Sequence, residues 1–228
     1  MNTAITIPAR LASTRFPNKM LAVLPNGVPV IKHVYNRCIE TGFDTFVVTP
    51  DKEIVDVIGK DNTLLVGEAE NGTARCVLAT EYINYTNFIN VQGDMPDITA
   101  DIIHSVHDVL QDYKVATAYT TMTDEQRNDP NSVKIVHNNK TAKWFGRGIT
   151  GYGDHHLGIY GYKGFVLNSY KDLTQYPEED IEKLEQLRWI QNDIDIGVVK
   201  VDFNGIEINT ISDLDKWAEM YAQADNLV

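Results

Sequence analysis

The feature that most constrains the fold is the alternation of short apolar runs with amphipathic segments over the first 94 residues. Runs rich in Val, Ile and Thr predict strands, and apolar residues spaced three and four apart predict helices. The predicted strands are TAITIP, TFVVTP, TLLVG and NFINVQGD, and the helices between them are VIKHVYNRCIE, KEIVDVIGK and GTARCVLATEYI. Such regular alternation is typical of a parallel sheet covered by helices.

The second half of the chain has a more mixed pattern. We predict a helix in DIIHSVHDVLQDY, strands in VATAYTTM, SVKIVHN and HLGIYGY, and helices in DIEKLEQLRWIQ and SDLDKWAEMYAQ. No repeat, low-complexity tract or Pro/Gly/Ser-rich linker divides the sequence. We therefore predict an α/β protein with one domain over residues 1–228 and a mostly parallel central sheet flanked by helices.

Composition limits the partners of such a domain. A formal net charge of −12 would repel nucleic acids and anionic membranes at long range, so we expect neither as a partner. No apolar stretch approaches the roughly 20 residues that span a bilayer, and the chain enters its first strand without a signal-peptide pattern, which predicts a cytoplasmic protein. Cys38 and Cys76 both fall in predicted helices, which indicates buried thiols rather than a disulfide or cysteine metal site.

A cationic segment, IPARLASTRFPNKML, follows the first predicted strand in this acidic chain. Ligands of open α/β sheets bind outside the carboxyl ends of the strands, where this segment would lie. The guanidinium groups of Arg10 and Arg15, the ammonium of Lys19 and the hydroxyls of Ser13 and Thr14 could surround a polyphosphate. A solvated surface turn is the alternative, and the segment matches neither a G-x-G-x-x-G nor a Walker A loop.

Two other segments place polar groups at strand or helix ends. Asp94 follows the strand in NFINVQGD, and a carboxylate there can hold a hard cation, although an isolated Asp after a strand is more often a turn former. The segment NGTARC precedes a helix, where its amides and Thr73 can contact a phosphate or pyrimidine, or simply cap the helix. We interpret Asp97 as a helix cap.

Taken in order, IPARLASTRFPNKML, NGTAR, FINVQGDMP, DPNSVK, HHLGIYGY and EKLEQLR resemble the 3-deoxy-manno-octulosonate (Kdo) cytidylyltransferases, the CMP-Kdo synthetases of lipopolysaccharide biosynthesis. The likeness spans almost the whole chain. It implies a single GT-A-like nucleotidyltransferase domain, usually homodimeric. It also implies that CTP and the acidic sugar Kdo are joined, with Mg²⁺ as cofactor, to give CMP-Kdo and pyrophosphate.

The resemblance also implies a role for individual residues. The catalytic groups would be Arg10, Lys19 and Asp94. The nucleotide would contact Ala9, Arg10, Ser13, Thr14, Arg15, Lys19, Asn71, Gly72, Thr73 and Arg75. The sugar would contact Gln92, Arg147, His156, Glu185 and Gln186. An arginine suits the sugar carboxylate, and the other side chains suit hydroxyls.

The chain departs from the family pattern near the metal and the sugar. Asn209 stands where the family has a second metal-binding Asp, with Glu207 two residues earlier and on the same face if the segment is a strand. Metal binding by Asn209, metal binding by Glu207, a weakened metal site, and a turn asparagine beside a solvated glutamate are the open alternatives. Met95 follows Asp94 where the family commonly has an acid, and the segment between Arg147 and His156 is short for the family.

These departures leave two alternatives to Kdo coupling. The same chemistry could act on another acidic sugar, such as an amino-substituted Kdo or a sialic-acid-like ulosonate. A non-catalytic nucleotide-binding homologue is the second alternative.

Overall fold

The computed structural model describes residues 2–225, without the side chains of 223–225. The strands are β1 Thr3–Pro8, β2 Asp44–Thr49, β3 Thr63–Leu65, β4 Asn87–Val91, β5 Val115–Thr120, β6 Lys134–His137, β7 Ala142–Gly146, β8 Asp154–Lys163 and β9 Ile196–Lys200. The α-helices are α1 Val30–Ile39, α2 Lys52–Ile58, α3 Gly72–Ala79, α4 Ala100–Val109, α5 Asp124–Asn128, α6 Gly164–Ser169, α7 Pro177–Glu182, α8 Leu187–Gln191 and α9 Ile211–Asp225. The predicted α/β class, with a mostly parallel central sheet flanked by helices, is confirmed.

The chain divides into two compact units, each assembled from separate stretches. The N-terminal unit comprises Ile5–Tyr82, Val91–Ala100 and Asn204–Val228. The central unit comprises Met1–Ala4, Ile83–Asn90 and Asp101–Phe203. The prediction of one domain over residues 1–228 stays a prediction.

The N-terminal unit has the strand order β3-β2-β1, and β2 pairs in parallel with β3. Both faces of its strands are buried: Val47 and Val48, on opposite faces of β2, are fully buried, as are Ile5, Thr6 and Ile7 of β1. Continuous apolar strands of this kind fit a sheet covered on both sides. Leu24, Val30, Ile208 and Trp217 form a further apolar cluster of this unit.

The central unit has the strand order β4-β8-β5-β9, with β6 paired to β7 and β8. Here β5 pairs in parallel with β9, whereas β5–β8, β6–β7 and β6–β8 are antiparallel. The register between β5 and β8 shifts at Thr117, which pairs with Tyr160, while Ala118 pairs with Leu157. Two residues of β8, Gly158 and Ile159, therefore form a bulge. Strands β7 and β9 and helices α5 and α6 were absent from the sequence prediction.

The prediction of one continuous helix over DIEKLEQLRWIQ is wrong. Helix α7 ends at Glu182, and Lys183 adopts the left-handed conformation, with φ 56° and ψ 45°, that often follows a helix end. Helix α8 starts only at Leu187. The apolar periodicity continues through the break, which explains the error. The break places Glu185 and Gln186 in the connection between the two helices rather than on a helix surface.

The stretch 201–209 also differs from expectation, because it contains no strand. The prediction that Glu207 and Asn209 lie on the same face of a strand is therefore wrong, because they are not in a strand. Cys38 and Cys76 are buried thiols, as predicted. Across residues 2–225, the helices are all too short or too polar to cross a membrane.

We predict that Gly197→Ala destabilises the protein by about 1–3 kcal/mol, the usual cost of overpacking. A Cβ at Gly197 would lie 2.6 Å from Cγ1 of Val109 and would overlap the ring of Tyr113. Gly67→Ala is the matched control, since a Cβ there meets no atom within 4 Å. Urea unfolding should show a lower midpoint for Gly197→Ala and almost none of this loss for Gly67→Ala. Equal midpoints would contradict the close packing of β9.

Candidate active site

The cationic loop begins where β1 leaves the core of the N-terminal unit. Ala9 is buried and donates its N–H to the carbonyl of Val48 at 3.0 Å, while Arg10 is exposed. The N–H of Leu11 donates to Oδ2 of Asp51 at 2.7 Å. Further along, Oγ of Ser13 accepts from the N–H of Phe16 at 3.3 Å, and Thr14 is exposed. The loop is therefore anchored at its start, and it leaves the Arg10 side chain at the surface.

Lys19 joins the loop to the end of β4. Its ammonium donates to Oδ2 of Asp94 at 2.5 Å, although Lys19 is only 7% exposed. Asp94 reaches this position through Gly93, where a Cβ would lie 3.1 Å from Ile31 and 3.2 Å from the carbonyl of Pro8. The absence of a side chain at Gly93 lets the turn pass close to β1. The predicted pairing of the cationic loop with Asp94 is thus present in the structure.

Asn209 lies beside this pair. Its Oδ1 accepts a hydrogen bond from Nη2 of Arg15 at 2.9 Å. The N–H of the preceding residue, Ile208, donates to the carbonyl of Asp94 at 2.9 Å. Asp213 accepts from the N–H groups of Asn209 and Thr210 at 3.0 and 2.7 Å. The turn before α9 is therefore held against the turn after β4, with Asn209 near Asp94 and Arg15.

Asp97 has a different role from the helix cap we predicted. It lies two residues before the N-cap position of α4. Its carboxylate accepts from the N–H of Ile206 at 3.1 Å and from Nε1 of Trp217 at 2.8 Å. Asp97 thus fixes the stretch before α9, including half-buried Glu207, and positions the neighbourhood of Asn209.

The oxygen donors near Asp94 fit a hard cation such as Mg²⁺. One carboxylate, from Asp94, and one amide oxygen, from Asn209, suit an ion that completes its shell with water and phosphate oxygens. In the part of the chain that the structure describes, no group of three or more His, Cys, Asp or Glu side chains could hold a metal. The donor set therefore fits an ion shared with a phosphorylated ligand better than one held by protein alone.

The start of α3 lies in the same unit. Asn71 is the N-cap, and its Oδ1 accepts from the N–H of Ala74 at 2.8 Å, so this segment caps the helix, and its contact with a ligand stays a prediction. Gly72 opens the helix and Thr73 is fully buried. Arg75 is 3% exposed, and its Nη1 donates to the carbonyl of Ala9 at 3.3 Å.

The Arg75 guanidinium is incompletely paired. Its Nε and Nη2 have no hydrogen-bond partner within residues 2–225, and the nearest carboxylate oxygen in an ion pair, from Glu68, is 3.6 Å from Nη2. Burial, together with the positive charge of Arg10, lowers the pKa of Arg75 below its usual range. A buried cation with unpaired donors beside Ala9 is equipped to receive hydrogen-bond acceptors from a ligand.

The predicted sugar-binding residues are divided between the units. Gln92 is half-buried and follows β4 in the N-terminal unit. The other four, Arg147, His156, Glu185 and Gln186, belong to the central unit. Within that unit, Gln186 is buried and Glu185 half-buried in the connection between α7 and α8.

Arg147 is held at its backbone from both sides. Its N–H donates to Oε2 of Glu182 at 2.7 Å, and its carbonyl accepts from the ammonium of Lys134 at 2.6 Å. Its Nη1 donates to the carbonyl of Asn131 at 2.7 Å. Glu182 precedes the connection that carries Glu185, so one contact ties two of the predicted sugar-binding segments together.

Lys134 was missed by sequence reasoning. It is fully buried, and its ammonium also donates to the carbonyls of Asp129 and Ser132, both at 2.9 Å. Burial lowers the pKa of Lys134, and the charge of Asp129 opposes this shift. The signal was available: Lys134 sits in the short apolar strand SVKIV, where a cation needs several acceptors to be tolerated.

The connection between α7 and α8 is closed by a buried ion pair. Nη2 and Nε of Arg188 donate to the two carboxylate oxygens of Glu179 at 2.6 and 2.8 Å. The guanidinium carbon of Arg188 also lies 4.2 Å from the ring centroid of Tyr170. A bidentate pair in this position fixes the ends of the segment that contains Glu185 and Gln186.

His156 lies inside the central unit rather than at its surface. It is 6% exposed, its Nε2 is 3.1 Å from Oγ1 of Thr117, and its ring packs edge-on against Phe145. Burial, reinforced by the positive charges of His155 and Arg147, lowers the pKa of His156 to about 3. The imidazole is therefore neutral at physiological pH and acts through hydrogen bonds, not charge.

We predict that His156 makes the protein sensitive to acid. Its pKa in the folded state is below the unfolded value of 6.5, so the unfolded chain binds the extra proton and stability is lost as pH falls from 6.5 towards 3. One such proton contributes a slope of up to about 1.4 kcal/mol per pH unit. His156→Gln should reduce the slope measured by urea unfolding between pH 4 and 6. His104→Gln, at a half-buried position on α4, is the control and should leave most of the slope in place.

The chain is similar in sequence to named enzymes. A sequence model of a family described as cytidylyltransferase matches residues 4–196. The 3-deoxy-manno-octulosonate cytidylyltransferase of Bartonella henselae is 34% identical over 238 residues, which cover 96% of this chain and 98% of that protein. The enzyme of the same name from Leptospira biflexa is 36% identical over 228 residues, which cover 92% of each.

Solved structures agree with the sequence comparison. A structure described as CMP:2-keto-3-deoxy-manno-octonic acid synthetase complexed with CTP matches with a TM-score of 0.92 at 29% identity, covering 98% of this chain and 100% of that one. An inositol-1-phosphate CTP transferase from T. maritima matches with a TM-score of 0.69 at 14% identity, covering 97% and 95%, which shows a shared fold alone.

The predicted nucleotidyltransferase fold is confirmed by these structures. Two relatives above 30% identity cover more than nine-tenths of the chain. The chain therefore belongs to the 3-deoxy-manno-octulosonate cytidylyltransferase family.

Proposed function

We propose that this protein couples CTP to Kdo and releases pyrophosphate, with Mg²⁺ as cofactor. The observation that carries the proposal is the cluster of Lys19, Arg15, Asp94 and Asn209, in which cations and oxygen donors meet within one unit. The names of the similar enzymes support the choice of CTP and Kdo.

The proposed reaction is an in-line displacement at the α-phosphorus of CTP. A bond forms between the anomeric hydroxyl oxygen of the sugar and the α-phosphorus, the bond to the bridging oxygen breaks, and pyrophosphate leaves with its electrons. The hydroxyl proton passes to water. Arg10, Arg15 and Lys19 would neutralise the triphosphate and the charge that develops on the leaving group.

Asp94 and Asn209 would hold the Mg²⁺, with Glu207 as the other nearby oxygen donor. When bound, the ion supplies Lewis acidity at the phosphate oxygens. The Lys19 ammonium already neutralises part of the Asp94 charge, and it has further N–H donors for a phosphate.

The remaining residues would bind the two substrates. Ala9, Ser13, Thr14, Asn71, Gly72, Thr73 and Arg75 are the proposed nucleotide contacts. Arg147 would pair with the sugar carboxylate, and Gln92, His156, Glu185 and Gln186 would bind hydroxyls. Arg147 suits this task because its peptide is fixed by Glu182 and Lys134.

We further propose a cytoplasmic, single-domain homodimer that acts in lipopolysaccharide biosynthesis, as the family resemblance implies. Gel filtration with light scattering tests the dimer, because a monomer at micromolar concentration would contradict it.

One observation favours a second substrate. The family resemblance implies a longer segment between Arg147 and His156 than this chain has, and a shorter loop would cover less of a sugar. A panel of Kdo, an amino-substituted Kdo and a sialic acid, compared by kcat/KM, decides between these substrates. CTP binding with no pyrophosphate release from any sugar would favour a non-catalytic homologue.

We predict pyrophosphate release only when CTP, Kdo and Mg²⁺ are all present, with UTP and ATP inactive. Asp94→Asn should lower kcat by about 100-fold or more, the scale of losing one transition-state electrostatic contact, while CTP still binds. Asp112→Asn, at an exposed turn, is the control and should keep full activity. Full activity of Asp94→Asn would remove Asp94 from the mechanism.

We predict that Asn209→Asp strengthens Mg²⁺ binding. A carboxylate in place of the amide adds a unit negative charge beside Asp94. The Mg²⁺ concentration at half-maximal activity should therefore fall about 5-fold or more. Asn209→Ala, which removes the side-chain oxygen, should raise the Mg²⁺ concentration needed for half-maximal activity. Mn²⁺ titration followed by electron paramagnetic resonance measures the affinity without turnover. No change in either variant would exclude Asn209 as a ligand.

A further inference from the structure

The bulge in β8 determines how Thr117 uses its hydroxyl. Residues of β8 that lie in the bulge have no partner opposite on β5, and the carbonyl of Ile159 turns towards Thr117. The Oγ1 of Thr117 is 2.7 Å from the Ile159 carbonyl oxygen and 3.4 Å from that of Leu157. Because a hydroxyl has one hydrogen, Thr117 donates it to the carbonyl of Ile159, the closer of the two carbonyl oxygens.

This donation fixes the tautomer of His156. The Oγ1 of Thr117 has only lone pairs left for the imidazole, and Nε2 of His156 is 3.1 Å away. Nε2 must therefore carry the proton and donate to Thr117. A neutral imidazole has one N–H, so Nδ1 carries a lone pair and can only accept.

Nδ1 of His156 makes no hydrogen bond to the protein within residues 2–225. Among the residues that the structure describes, Thr117 is the side-chain hydrogen-bond partner recorded for the His156 ring, and it occupies Nε2. The edge-on contact with Phe145 and the tilted contact with Tyr160 hold the ring in place without using Nδ1 as an acceptor. The ring therefore presents one acceptor in a fixed orientation.

We propose that Thr117 is a positioning residue that locks His156 as the Nε2–H tautomer, so that Nδ1 accepts a hydrogen bond from a hydroxyl of the acceptor sugar. This inference rests on the proposed function. It assigns His156 to a sugar hydroxyl and excludes it from the sugar carboxylate, because a lone pair facing a carboxylate would be repelled. The carboxylate is then left to Arg147, whose guanidinium offers only donors.

The tautomer can be measured without any turnover. Nitrogen-15 NMR of the full chain, labelled at histidine, distinguishes a protonated ring nitrogen from one with a lone pair. At pH 7 we expect His156 with Nε2 protonated in the wild type and in Thr117→Ser, which keeps the hydroxyl. Thr117→Val should lose this pattern and populate the Nδ1–H form. A wild-type ring protonated at Nδ1, or an unchanged tautomer in Thr117→Val, would overturn the proposal.

Sugar binding tests the second half of the proposal. Thr117→Val should raise KM for Kdo about 10-fold, the effect of misplacing one hydrogen bond, with KM for CTP unchanged. Thr117→Ser should restore KM to within about 2-fold. Thr45→Val is the matched control: Thr45 is also buried in a strand and donates to a carbonyl, that of Phe43, at 3.1 Å. Thr45→Val should lower stability about as much as Thr117→Val and leave the KM values for Kdo and CTP unchanged.

The outcomes separate this proposal from the proposed function. If the wild type releases no pyrophosphate with Kdo, the proposed function fails, and the NMR result still decides the tautomer. If the wild type is active but Thr117→Val changes both KM values equally, the role of Thr117 is structural and the inference is overturned. Addition of Kdo to the CTP-bound wild type should shift the Nδ1 resonance, and an unmoved resonance would contradict the contact.

Discussion

The structure depends on how it pairs cations that have been removed from water. Lys19, Arg75, Lys134 and Arg188 are all less than 9% exposed in a chain of net charge −12. An unpaired buried charge is costly, so each needs acceptors. Lys19 and Arg188 use carboxylates, and Lys134 uses three backbone carbonyls. Arg75 is only partly paired, but for Lys19, Lys134 and Arg188 the contacts that satisfy the charge also hold segments with residues assigned to substrate binding.

The two ways of pairing have different consequences. A carboxylate partner, as for Lys19 and Asp94, leaves both groups able to exchange contacts with a charged ligand or metal. Carbonyl partners, as for Lys134, saturate the ammonium and leave nothing for a ligand. Lys134 is therefore suited to holding Arg147 in place, and Lys19 is suited to the chemistry. Sequence alone cannot separate these roles, because it does not reveal which acceptors surround a lysine.

Local pattern predicted most of the fold. The strands and helices of the first 94 residues follow directly from apolar spacing, and the cationic loop and Asp94 lie where parallel strands end. The errors arise where long-range contacts override local pattern. The break after Glu182 lies between the partners of the buried Glu179–Arg188 pair, and Asp97 accepts a hydrogen bond from Trp217, 120 residues away. Likewise, only the bulge opposite Thr117 explains the hydrogen bonding of His156.

The incompletely paired Arg75 has a consequence for the stability of the resting protein. Within residues 2–225, two of its buried nitrogens have no hydrogen-bond partner and only a 3.6 Å ion pair with Glu68, so the resting protein has a stability deficit at the start of α3. An apolar residue of similar length would remove this deficit. Acceptor atoms brought by a bound anion would complete the hydrogen bonding of the guanidinium and offset this deficit.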